Sequence, residues 1–140
     1  MAKLYMKRFD EFNSHLNVLK RAPHEDLTNE FIISGIIDKF FIQFELSWKV
    51  LKQLLIYEGD SLGKTGSPRD IIKAAYVRYD FIEEDIWLTM LKERNNTAHI
   101  YNEEVALQLA NEIIRSYINE FEQFRKGILD LYEDVLPDIY

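Results

Sequence analysis

The sequence predicts an all-α protein, an up-and-down bundle of four main helices with one extra short helix. Three observations carry that prediction. Apolar residues recur every three or four positions almost throughout, no segment sustains a period-two alternation, and the interruptions are rich in Gly, Pro, Asn and Asp. At 140 residues, 47% apolar and 14% aromatic, the chain has enough apolar side chains for one core and reads as a single domain over residues 1–140.

The first helix is expected over residues 3–20, where Leu4, Phe9, Phe12, Leu16 and Leu19 fall on one stripe. "RAPHEDLTNE" interrupts it. Pro23 cannot continue the hydrogen-bond ladder, and Asp26 or Thr28 is placed to cap the next helix. That second helix should be the longest, about residues 29–57. Ile33, Ile37, Phe40, Phe44, Trp48, Leu51 and Leu55 step along one side, and Ile36 and Phe41 widen it, as in a central helix. The charges Asp38, Lys39, Glu45, Lys49 and Lys52 exclude a membrane span.

Three glycines in "EGDSLGKTG" break the pattern. "SPRD" restarts it, with Ser67 at the cap, Pro68 in the first turn and Asp70 near the positive helix end; this short helix stops near Arg78. Asp80 and Glu83 have the spacing of a capping box for the next helix, which carries Ile86, Trp87, Met90 and Leu91 to about Asn95. Asn102 is placed to cap the last, long helix. Its stripe is Val105, Leu109, Ile113, Tyr117, Phe121, Phe124, Ile128 and Leu131, and Pro137 closes it.

Several function classes drop out. The chain has no cysteine, which excludes a disulfide framework and a thiolate metal site; His15, His24 and His99 are scattered, so no metal centre is expected. "MAKLYMKRFDEF" has neither an apolar run nor a small-residue cleavage site, so a cytoplasmic location is expected. A net charge of −7 argues against a general nucleic-acid binder. The charge is uneven, however. Lys64, Arg69, Lys73 and Arg78 outnumber Asp70 and Asp80 between residues 61 and 80, whereas acids dominate from Tyr101 onward. These four cations are candidate contacts for RNA or a nucleotide; a solvated helix face is the plainer alternative.

The most informative stretch is "KERNNTAHIYNEE", where two helices meet. On an unbroken helix Arg94 and Tyr101 would share one stripe and Asn95 and His99 the neighbouring one, with Arg94 and His99 diverging by ~140°. A turn at Asn96–Thr97 relaxes that and lets the basic groups converge. Arginine offers a planar, permanent charge suited to phosphate oxygens, and histidine exchanges protons near neutrality. Together they suit RNA cleavage by internal attack of the 2′-hydroxyl, with no metal. Base and acid are both needed in one step, and a two-fold dimer supplies a second Arg94 and His99. The plainer reading makes Arg94 a partner of the negative helix end, Asn95 and Asn102 caps, and His99 and Tyr101 packing residues.

At these residues "RNNTAHIY" resembles the R-x4-H-x-Y signature of HEPN-domain proteins, including the polar Asn95 directly after the arginine. "FFIQFELSWKVLKQLL" is similar to the second-helix signature of the branch described as nucleotidyltransferase substrate-binding proteins. The resemblance spans nearly the whole chain. It implies a dimeric HEPN-like helical bundle, paired with a separate small nucleotidyltransferase in a toxin–antitoxin system. The HEPN protein is then the toxin, a metal-independent endoribonuclease without a cofactor. Arg94 and His99 would face each other across the dimer groove and Asn95 would orient the site. The partner would transfer AMP from ATP to Tyr101 and silence cleavage. An older interpretation of the same group makes it the substrate-binding half of a split nucleotidyltransferase. Within the second-helix stretch, Trp48 reads as core, and Glu45 as either a partner for an arginine or a site residue. His15 and His24 read as surface or structural.

Overall fold

Residues 3–138 are described by a computed structural model. The axis of the fold is α2, Glu30–Tyr57, whose 28 residues make a rod of ~42 Å. Before it come α1, Lys7–Leu19, and a 3₁₀ turn, Ala22–His24. After it come α3 (Leu62–Thr65), α4 (Pro68–Arg78), α5 (Glu84–Asn95) and α6 (Ala98–Tyr101). α7 (Glu103–Glu112) runs through a π-helical turn, Ile113–Tyr117, into α8, Ile118–Leu131. The expected all-α class holds, with no strand among the described residues. No helix there is long and apolar enough to cross a membrane.

α2 packs against α1, α4, α5 and α7, while α8 closes on α1 and α5 on α4. The core is strongly aromatic because the apolar stripes of α1, α2, α5 and α8 all carry rings. Phe12 lies 4.8 Å from Phe124, Trp87 5.4 Å from Phe124, and Phe40 5.2 Å from Tyr117, centroid to centroid, as offset and tilted pairs. Buried polar groups are tied off locally. Gln43 donates to the Phe12 carbonyl at 3.0 Å and accepts from His15 Nδ1 at 2.7 Å, which gives His15 a structural role between α1 and α2.

Where the structure departs from the expected elements, tertiary contacts supply the reason. The first helix begins at Lys7 rather than residue 3, because Leu4 N–H is taken by the Val135 carbonyl at 2.6 Å. Asn29 caps α2, in place of Asp26 or Thr28; Asp26 instead accepts from the backbone and hydroxyl of Thr28. The glycine-rich break contains α3, started by Asp60 accepting from Leu62 N–H, and Gly63 lets it lie against the Ile56 backbone where a Cβ would come within 2.8 Å. Ser67 and Asp70 do form a reciprocal capping box on α4. The expected box at Asp80–Glu83 does not form. Tyr79 and Ile82 are buried, which holds residues 79–82 off the helix, so α5 starts at Glu84 without a side-chain cap. Ile33 and Trp48 reach only the edge of the core. The last helix contains the unforeseen π turn and ends at exposed Leu131, before Pro137, as Tyr132 and Leu136 turn inward.

Candidate functional site

The last turn of α5 carries Arg94 and Asn95, and α6 carries His99 and Tyr101. Between them the chain extends at Asn96, whose side-chain oxygen accepts from Ala98 N–H at 3.0 Å and starts α6. Asn102 accepts from Glu104 and Val105 N–H at 3.0 and 3.1 Å and starts α7, as expected. Asn96 and Asn102 therefore serve the backbone. Asn95, the polar residue after the arginine, is exposed.

The Arg94 guanidinium makes an ion pair with Glu45 of α2 at 2.9 Å, and Glu45 also stands 3.8 Å from Lys49 one turn on. Of the two readings open for Glu45, the arginine partner is the one observed. Arg94 faces an open groove of about 1000 Å³ between the start of α4 and the end of α5. Its wall includes the cations Arg69, Lys92 and Arg94, one acid, Asp85, and the amides of Asn95 and Asn96. On a chain of net charge −7 this is a local concentration of positive charge.

His99 is half-buried, its ring edge-on to Phe41 at 5.3 Å. Its Nδ1 lies 3.1 Å from the Asn96 carbonyl oxygen. A carbonyl only accepts, so Nδ1 is the donor in this hydrogen bond and Nε2 is the ring nitrogen left to face other groups. His99 lines a different depression, about 440 Å³, together with Ile33, Ile100, Tyr101 and Leu107. Tyr101 is 88% exposed. Within one chain, then, Arg94 and His99 do not line a common cavity: the Asn96–Thr97 turn sets them on neighbouring faces.

The four cations picked out between residues 61 and 80 are dispersed. Arg69 alone of them lies on the groove wall. Arg78 is paired with Glu58 at 3.7 Å, Lys64 is exposed on α3, and Lys73 is half-buried on α4. Lys92 was not foreseen as a groove residue. Its sequence signal is only its position two residues before Arg94, and what places it beside Arg69 is the packing of α4 against α5. Among the described residues no cluster of His, Cys, Asp or Glu could hold a metal ion.

No curated protein sequence matches the chain. The family described as "nucleotidyltransferase substrate binding protein like" matches residues 7–129. That span runs from the first residue of α1 nearly to the end of α8, through both the second-helix stretch and the α5–α6 junction. With so much of the bundle matched, the chain belongs to the nucleotidyltransferase substrate-binding-like family.

Proposed function

We propose that this protein is a cytoplasmic, metal-independent endoribonuclease, the toxin of a pair. It works as a two-fold dimer through Arg94 and His99 and is silenced when a separate nucleotidyltransferase transfers AMP to Tyr101. The observation that carries the reading is the setting of the His99 ring: Nδ1 donates to the Asn96 carbonyl at 3.1 Å, which leaves Nε2 as the nitrogen that can exchange a proton with substrate. In the reaction Nε2 takes the proton of the 2′-hydroxyl, whose oxygen attacks the adjacent phosphorus. Arg94 stabilises the charge that builds on the phosphoryl oxygens, and the partner subunit's His99, as imidazolium, protonates the departing 5′-oxygen. Asn95, next to Arg94 on the groove wall, supports the site.

Two features favour a second copy of the chain at this junction. Ile100 and Tyr101 are exposed beside His99, and Phe31 and Ile42 are exposed on one stripe of α2, which also carries Glu45. Large apolar groups left in water around a site mark an interaction surface, and an isologous pairing there would bring two junctions together. Tyr101 is open to a modifying enzyme. An attached AMP would add a negative phosphate and a bulky base two residues from His99, repelling RNA and offering Arg94 a substitute ligand.

The family description favours a second reading, a non-catalytic subunit presenting a nucleotide or other substrate to a separate nucleotidyltransferase. The cationic groove suits a nucleotide's phosphates as well as an RNA backbone. The purified chain incubated with RNA in excess chelator decides between them. The nuclease reading expects cleavage that falls about 10³-fold in His99→Ala and Arg94→Ala with the fold retained, a dimer by sedimentation, and adenylylation of Tyr101 by mass spectrometry after co-expression with the partner. Full cleavage by His99→Ala refutes it. Binding of nucleotide without cleavage by the wild type establishes the second reading.

A further inference from the structure

We infer that Glu45 is the positioning residue of Arg94: it immobilises the guanidinium in its working orientation and, by its charge, weakens RNA binding in doing so. The inference rests on the nuclease reading above and assigns a role to a residue outside the junction.

Arg94 stands on the last turn of α5, one residue from exposed Asn95, where a long arginine side chain has wide rotamer freedom. Glu45 comes from the middle of a different and far longer helix, so its carboxylate is an anchored reference point. The closest approach is an ion pair between Arg94 Nη2 and a Glu45 carboxylate oxygen at 2.9 Å. A guanidinium has five N–H donors, so the edge away from Glu45 remains for phosphate oxygens. Lys49 stands on the other side of the carboxylate at 3.8 Å, so the three form a chain, Lys49–Glu45–Arg94, running from α2 to the groove.

A purely stabilising role is a poor account of this pair. Both side chains are about a third exposed, 30% for Arg94 and 32% for Glu45, and ion pairs at that exposure contribute little to folding. α5 is already anchored by fully buried Trp87 and Met90. For anion affinity alone the carboxylate is unfavourable, because it offsets one of the three cations, Arg69, Lys92 and Arg94, that line the groove. A group that opposes binding yet fixes a cation next to it fits a part in turnover, since orientation of a charge-stabilising group acts on the transition state more than on bound substrate.

The test compares wild type, Glu45→Gln and Glu45→Asp in three measurements: affinity for a fluorescent single-stranded RNA, steady-state cleavage in chelator, and ¹⁵N relaxation at Arg94 Nε. Glu45→Gln should bind RNA about two- to fivefold tighter. Its kcat should drop about tenfold, with KM falling rather than rising. Arg94 Nε should become mobile while the melting temperature stays within about 3 °C of wild type. Glu45→Asp keeps the charge and should restore wild-type affinity and most of kcat. An unchanged kcat in Glu45→Gln, or RNA binding no tighter than wild type, overturns the inference. Should the wild type cleave no RNA, the nuclease reading falls by itself. The relaxation and binding measurements then decide the role of Glu45 alone, and an Arg94 that stays equally ordered in Glu45→Gln overturns it.

Discussion

Gly127→Ala sets two effects of opposite sign against each other in the middle of α8. Alanine is a better helix former than glycine by about 1 kcal/mol, so propensity alone predicts a stabilised protein. The structure predicts the reverse. A Cβ at Gly127 would lie 2.1 Å from Cδ1, 2.3 Å from Cγ and 2.8 Å from Cβ of Phe81. The obstacle is the root of the ring rather than a flexible tip, and the ring is confined, stacked on Tyr79 at 5.0 Å and edge-on to Phe124 at 6.0 Å. Phe81 must therefore leave, and removing a phenylalanine from a packed site costs about 2–3 kcal/mol. Subtracting the propensity gain leaves a net loss of about 1–2 kcal/mol, a fall in melting temperature of roughly 4–7 °C for a chain of this size. Thermal and urea unfolding of Gly127→Ala, Phe81→Ala and the double variant measure this directly. With Phe81 already truncated, Gly127→Ala should become stabilising by about 1 kcal/mol. A single Gly127→Ala variant more stable than wild type would refute the packing argument.

Other outcomes depend on charge. Glu120 is buried near Glu83, so burial first and that carboxylate second raise its pKa above the ordinary 4.5. A carboxyl whose folded pKa is raised favours folding while protonated and loses that contribution as pH rises through the raised value. Glu120→Gln should consequently melt higher than wild type at neutral pH, with the difference shrinking as the pH falls through the raised value towards 4.5; an equal gain at neutral pH and at pH 4.5 would show that charge is not the cause. In the groove, Lys92→Ala should weaken binding of a single-stranded RNA and lower the slope of log affinity against log salt by about one. Arg78→Ala, which removes a cation already paired with Glu58 away from the groove, should leave that slope unchanged. Equal slopes for both variants would mean that the groove is not where RNA lies.

The legible parts of this protein are those encoded by neighbours along the chain. The 3.6-residue rhythm announced α1, α2, α5 and the last long helix, and Ser67 and Asn102 marked two helix starts that the structure places where expected. The same kind of signal failed at Asp80–Glu83, where burial of Tyr79 and Ile82 outweighs a capping pattern, and at α3, where Asp60 and a close approach at Gly63 make a helical turn inside a glycine-rich stretch. The π turn at Ile113–Tyr117 left no mark in the apolar stripe, because its residues keep the four-residue spacing that also suits a regular helix.

The candidate site divides in the same way. Arg94, His99 and Tyr101 stand out by their spacing, and the Asn96 carbonyl orients the His99 ring through a contact only three residues long. By itself, then, the sequence determined the helical class, the helix starts at Ser67 and Asn102, and the position of the junction. Tertiary structure alone decided that Arg94 meets Glu45, that Arg69 and Lys92 join it in one groove, and that His99 faces another depression. Periodicity and capping act within a turn or two of chain, whereas which helix faces meet depends on how all the buried stripes pack together at once.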